Sequence, residues 1–138
     1  MFDPSVREIM QRNALLLLPA ETIVSEAAKQ MLSKNVGAVV IVENQHLIGI
    51  FTERDAVFRV IAQELDTTTT RLATVMTAQP VRLGPDKSYG HALVLMREHR
   101  FRLPIVKDGN VIGIVTVRES FDPELDGYVS EQRRREFL

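Results

Sequence analysis

Thr52 and Asp55 stand three residues apart in the stretch GIFTERD, and Thr116 and Glu119 repeat that spacing in GIVTVRE, 64 positions further on. A hydroxyl followed three residues later by a carboxylate, directly after a β-branched run, has the spacing of a capping box. In such a box each side chain satisfies a backbone N–H at the start of a helix. The same place could receive an anion, because the first turn of a helix leaves N–H groups without intrahelical partners and carries partial positive charge. Arg54 and Arg118, two residues after each threonine, add a guanidinium whose fork matches phosphate oxygens. Catalytic chemistry has no comparable signal. The chain lacks a phosphate-cradling GxxxxGK[ST] loop and any nucleophile with a base at a recognisable spacing. There is no cysteine, and His46, His91 and His99 have no third partner at metal-ligand spacing. Neither an enzyme nor a metal site is expected.

The elements that must carry these residues also occur twice. GAVVIVENQHLIGIFT (37–52) aligns without a gap over FRLPIVKDGNVIGIVT (101–116). Each block holds two apolar β-branched runs around a polar turn: 39–42 and 47–51 flank ENQH, while 103–106 and 111–115 flank KDGN. That is a hairpin signal, sharpened by Asp108-Gly109 in the second copy. Upstream, Ile23, Val24, Ala27, Ala28, Met31 and Leu32 form one stripe at helical period, and Tyr89, Ala92, Leu93 and Met96 form its shorter counterpart. Before these helices come ALLLLP (14–19) and PVRLGP (80–85), each a strand stopped by proline. VREIM, ending at Met10, matches ATVM, ending at Met76. Thr52 is expected to cap a helix whose apolar residues are Val57, Val60 and Ile61, and a short helix is expected from Thr116 to the Asp122-Pro123 stop. The four methionines Met10, Met31, Met76 and Met96 are expected in the core. Two copies of about 60 residues, each too small to be stable alone, make one module by burying their sheets against each other.

With these pieces in this order, the chain resembles a tandem pair of cystathionine β-synthase (CBS) domains. The carriers are Gly49, Ile50, Thr52 and Asp55, their second copy Gly113, Ile114, Thr116 and Glu119, the strand FRLPIV with Pro104, and Val75-Met76. The fold expected is α/β (α+β): two pseudo-symmetric β-α-β-β-α repeats packed through their sheets. Repeat one takes 6–65, a linker 66–72, repeat two 73–122 and a C-terminal tail 123–138. The resemblance implies a regulatory module that binds AMP, ADP, ATP, NAD or S-adenosylmethionine in clefts between the repeats. It gives Asp55 the ribose hydroxyls and Thr52 the phosphate or ribose. Thr116 keeps that role in the second cleft, where Glu119 replaces the family's aspartate by one methylene more. Adenine is read by backbone beside the proline strand, Arg102, Leu103 and Pro104, with Arg54 and Arg118 available to phosphate. A carboxylate suits the ribose role because it can accept both hydroxyls of a vicinal diol in charge-assisted bonds.

Composition sets the outer bounds. The 138 residues are 45% hydrophobic and 25% charged, as in ordinary globular proteins, and a formal net charge of −1 gives no general attraction to nucleic acid or anionic membranes. No apolar run approaches membrane-spanning length and the N-terminus has no secretory signal, so a cytoplasmic location is expected. Arg133 to Arg135 are bracketed by Glu131 and Glu136 and read as a solvated tail. The expected partners are an adenine nucleotide as regulatory ligand, a second copy in a homodimer, and a protein target in trans. The competing expectation is a structural CBS pair with degenerate clefts that binds no nucleotide, favoured by Glu119 and by Val40 in the place of Pro104.

Overall fold

The computed structural model describes residues 3–10, 15–98 and 102–116. The helix expected after Thr116, with Arg118 and Glu119, and the C-terminal tail lie outside these residues. Helices α1 (Val6–Ile9), α2 (Val24–Lys34), α3 (Glu53–Asp55), α4 (Leu72–Val75) and α5 (Tyr89–Glu98) alternate with strands β1 (Leu17–Leu18), β2 (Ala38–Glu43), β3 (His46–Thr52), β4 (Thr77–Ala78), β5 (Arg102–Lys107) and β6 (Asn110–Thr116). A π-helix, Ala56–Ile61, continues α3. The described residues form a mixed α+β structure, and their order from β1 through α3 is the expected β-α-β-β-α repeat. The four expected hairpin strands are present, each longer by one residue at either end.

Two compact units result. One comprises residues 15–80 with 109–111, the other 3–10, 81–98, 102–108 and 112–116. Within the first, β1 pairs parallel to β2, β2 antiparallel to β3, and β3 antiparallel to β4. The β2–β3 turn uses Asn44 and Gln45, both at positive φ, the backbone that a two-residue type I′ hairpin demands. Asp108 and Gly109, at φ 54° and 84°, repeat this between β5 and β6. In α2, Val24, Ala27 and Met31 are buried, while Ala28 is exposed and Leu32 is 83% exposed, so the helix buries a narrower line than the sequence stripe suggested. Its first amides, Val24 N and Ser25 N, donate to Thr70 O and Thr67 O, which anchors the linker on the helix start. Asp66 opens that linker turn; its carboxylate accepts from the Thr68 hydroxyl and amide, which hold its pKa below the ordinary value. At the other end, Asn35 takes the left-handed conformation (φ 56°, ψ 51°) and Val36 N returns to Met31 O, a closure that asparagine tolerates well.

The expected strands 14–19 and 80–85 are reduced. The first is only Leu17–Leu18, and the second is a single parallel bridge, Leu83 to Ile105. Pro80 and Pro85 bracket the second and lack the N–H groups that a longer ladder requires.

Each unit is completed by a leading helix taken from the other repeat. Val6 and Met10 are buried in a core with Tyr89, Leu93, Ile105 and Val115, and Val6 N and Arg7 N donate to Lys87 O and Pro85 O. Leu72 and Val75 are buried with Val24, Ala27, Phe51 and Val60, and Leu72 N and Ala73 N donate to Thr22 O and Ala20 O. The matching ends Ile9-Met10 and Val75-Met76 therefore mark one exchange made twice. Met10, Met31 and Met96 are buried, and Met76 packs partly buried against its core.

The exchange explains both glycines of the repeated motif. A Cβ at Gly113 would lie 2.7 Å from Met10 Sδ and 3.0 Å from its Cγ. A Cβ at Gly49 would overlap Met76 Sδ and stand 3.2 Å from Thr77 O, which cannot swing aside as a side chain can. Gly49→Ala is therefore expected to cost about 1–3 kcal/mol through overpacking. Met76→Ala leaves a gap of its own, so the double variant should lose less than the two single losses added, measurable as a cycle in urea unfolding. Strict additivity would mean that the Met76 contact does not set the glycine requirement.

Candidate functional site

The site is built where β3 runs into α3. Thr52 ends the strand with extended backbone (φ −118°, ψ 168°), and the chain then turns helical. Asp55 N donates to Thr52 Oγ1 at 3.2 Å. In return Asp55 Oδ2 accepts from Thr52 N at 2.9 Å and from the Thr52 hydroxyl at 3.2 Å. The capping box is thus complete. Glu53 N donates to Gly37 O at 3.0 Å, so the first turn is also tied to the start of β2. Asp55 is only 3% exposed, the one charged residue in the buried set among the described residues. A carboxylate is stable there because hydrogen bonds and a cation replace its lost water.

That cation is Arg59, whose Nε lies 3.5 Å from Asp55 Oδ1. Its Nη1 donates to Met76 O at 3.0 Å and, more weakly, to Val75 O at 3.4 Å. These carbonyls end α4, where the helix has no further N–H to offer them. Sequence reasoning passed over Arg59, although its position four after Asp55 was a usable signal. The π-helix changes which residues face inward. Ala62 N bonds to Val57 O and Leu65 N to Val60 O, both five residues back. Of the expected stripe only Val60 is buried; Val57 is exposed and Ile61 is 65% exposed, because the wider turn breaks the α-helical period. π-turns of this kind are frequent at functional sites.

The other sequence candidates fall as follows. Arg54 is exposed, and its guanidinium sits 4.6 Å from the centre of the Phe58 ring, a cation–π contact one turn along. In the other unit, Arg102 opens β5 half-buried, Leu103 is fully buried in the core, and Pro104 is buried with its carbonyl accepting from Leu83 N. Thr116 ends β6, half-buried. Arg118 and Glu119 lie outside the described residues. The structure therefore brings Thr52 and Asp55 together and adds Arg59 to them, while Arg54 turns to Phe58. Among the described residues no cluster of histidine and acidic side chains could hold a metal ion, and no helix is long and apolar enough to cross a membrane.

Because Asp55 holds this junction through its bonds with Thr52, Asp55→Ala is expected to lower stability by about 1–2 kcal/mol, the scale of a lost cap. Asp55→Asn, which keeps an acceptor for Thr52 N, should lose less; urea unfolding distinguishes them. Equal stability of Asp55→Ala and the parent would show that the cap carries no load.

Comparison with known proteins places this arrangement. The CBS domain profile matches residues 6–62 and 72–119, and thus both copies of the motif. The CBS domain-containing protein YhcV of Bacillus subtilis is 39% identical over 114 residues, covering 82% of this chain and 80% of that protein. Against the CBS domain-containing proteins CBSCBSPB1, CBSCBSPB5 and CBSCBSPB4 of Arabidopsis thaliana, the chain spans only 19–22% of their length. Among solved structures, CBS domain protein PAE2072 from Pyrobaculum aerophilum, complexed with AMP, superposes with a TM-score of 0.81 at 21% identity, covering 93% of this chain and 99% of that one. The CBS domain pair of protein MJ0100, in complex with 5′-methylthioadenosine and S-adenosyl-L-methionine, gives 0.77 at 24% identity over 91% of this chain and 98% of that one. At these identities the superpositions speak for the fold, whereas the profile and the B. subtilis relative speak for descent. The chain belongs to the CBS domain family and carries two tandem copies of the domain.

Proposed function

We propose that this chain is a non-catalytic regulatory module that senses adenosine-containing ligands and signals to a protein partner in trans. AMP, ADP and ATP are the first candidates, with NAD and S-adenosylmethionine behind them. The carrying observation is the Thr52–Asp55 pair at the β3–α3 junction of a CBS repeat: a carboxylate held in place by backbone and hydroxyl donors, at the start of a helical segment. In this reading Asp55 accepts the ribose hydroxyls and Thr52 turns its hydroxyl to ribose or phosphate. In the second repeat Thr116, Arg118 and Glu119 take the corresponding places. Arg102, Leu103 and Pro104 serve adenine, and Arg54 leaves the Phe58 ring for phosphate. Two structural relatives hold adenosine compounds, AMP in one and S-adenosylmethionine with 5′-methylthioadenosine in the other, which supports the ligand class.

The ligand acts by differential affinity: it shifts the chain toward whichever conformation binds it better, and only by the ratio of the two affinities. A homodimer belongs to the proposal. Leu32, Val57, Phe58 and Ile61 are exposed apolar residues, which a second copy could cover. The cytoplasm is the proposed compartment.

The competing reading, an interaction module without nucleotide, is favoured by the burial of Asp55 and its commitment to the cap. Thermal unfolding with AMP, ADP, ATP, NAD and S-adenosylmethionine, each at about 1 mM, separates the two. A ligand present at 100 times its Kd adds roughly 2.7 kcal/mol, a shift of several degrees for a domain of this size. A shift with one ligand is expected. No shift with any, together with a co-purifying protein, would replace the sensor by the interaction module.

A further inference from the structure

Asp55 can serve a ribose only through an oxygen that is already faced by a cation. Oδ2 is engaged by the Thr52 amide and hydroxyl, and Oδ1 faces Arg59 Nε at 3.5 Å. Of this pair it is the arginine that meets solvent: its side chain is 41% exposed and that of Asp55 is 4% exposed. Arg59 is thus the solvent-facing partner of a buried carboxylate. The same guanidinium holds Met76 O and Val75 O at the end of α4. Immediately beyond, Thr77 and Ala78 pair with Ile50 and Gly49 of β3, and Gln79 N donates to Ile48 O. One side chain thus connects the carboxylate to the segment contributed by the second repeat. The sequence position equivalent to Arg59 there, 64 residues on, is Pro123, which carries no cation.

We propose that Arg59 is a positioning residue that works as a latch: it covers Asp55 in the ligand-free protein, and a ribose diol must displace it, releasing the Val75 and Met76 carbonyls. The idea rests on the nucleotide reading above and adds to it a route by which occupancy reaches β4. The geometry suits a latch. A pair at 3.5 Å with one half-exposed partner is a weak restraint, easily exchanged for two hydroxyl donors. The carbonyls of α4 have no helical N–H to fall back on, so they register the loss. Arg59 lies within the π-helix, one turn after Asp55, where a single side chain meets both the carboxylate and the end of α4.

The test uses the full chain, with adenosine and AMP as probes, in the parent and in Arg59→Gln, Arg59→Lys and Asp55→Asn. Calorimetric titration reads affinity, and amide hydrogen exchange of the ligand-free proteins reads the segment Thr77 to Gln79. Removal of the latch should tighten adenosine binding about threefold, the scale of a half-exposed ion pair that no longer has to be broken. It should also speed exchange across Thr77 to Gln79 while lowering the melting temperature. Arg59→Lys should lie between the parent and Arg59→Gln, and it carries the test if Arg59→Gln fails to fold. Asp55→Asn should speed the same amides, and combining it with Arg59→Gln should add little. A merely structural arginine could not tighten binding while weakening the fold. Unchanged or weaker adenosine binding in Arg59→Gln, with the parent binding normally, overturns the latch alone. Weaker binding confined to AMP would make Arg59 a phosphate ligand instead, also overturning it. A parent that binds neither probe overturns the nucleotide reading and the latch with it.

Discussion

A methionine sulfur lying against a glycine α-carbon closes each half of this protein, and the two sides of that contact come from different repeats. Met76 reaches Gly49 and Met10 reaches Gly113. Neither contact could form if a repeat kept its own leading helix, because α1 is buried with α5 and β5 while α4 is buried with α2 and β3. A segment of about 60 residues buries too little surface to be secure alone, and lending a helix in each direction makes the two cores interdependent. The motif glycine is thus a packing requirement first. Its neighbours Thr52 and Asp55 inherit a fixed position from it: β3 is held against β4 at Gly49 and Ile50, and two residues later the strand turns into the capped helix.

The exchange also determines what the site can do. Asp55 is both the N3 carboxylate of a helix cap and the acceptor proposed for a ribose, and these roles use different oxygens. A capping carboxylate is preorganised without cost to the ligand, since its orientation is set by Thr52 before anything binds. The burial that favours a structural reading is compatible with the ligand reading once Arg59 is seen as its cover. Arg59 in turn donates to the carbonyl that follows α4, so the leading helix that completes the core is tied to the proposed site. Packing, capping and the proposed signalling thereby share a few residues, which is why separating them calls for variants that read stability and binding together.

Much of this was legible in the residues. The duplicated hairpins fixed both turns, and Asp108-Gly109 announced its own geometry. The Thr52–Asp55 spacing foretold the box, and the methionine and helix stripes named most of the core. The failures have distinct causes. Leu32 has the periodicity of a core residue and is exposed, because a sequence stripe does not tell how wide a face the sheet covers; Val57 and Ile61 are exposed because the π-turn breaks the α-helical period. Arg59 stands four residues after Asp55, the ordinary spacing of a surface ion pair, but that spacing says neither that Asp55 is buried nor that the carbonyls ending α4 lie within reach. The exchange of leading helices was invisible because local pattern records which segment is apolar and not which copy it will pack against. PVRLGP matched ALLLLP in hydropathy, but its flanking prolines left one bridge where a strand was expected.

The central claim is that the carboxylate capping this helix is also the group that recognises a ribose. Calorimetric comparison of AMP with its 2′,3′-dideoxy analogue on the unaltered protein tests it most directly, since only the two hydroxyls differ. Hydrogen bonds to a charged acceptor are worth about 1.5–3 kcal/mol, so the analogue should bind roughly ten- to hundredfold more weakly. Equal affinities would mean that Asp55 caps the helix and does nothing more.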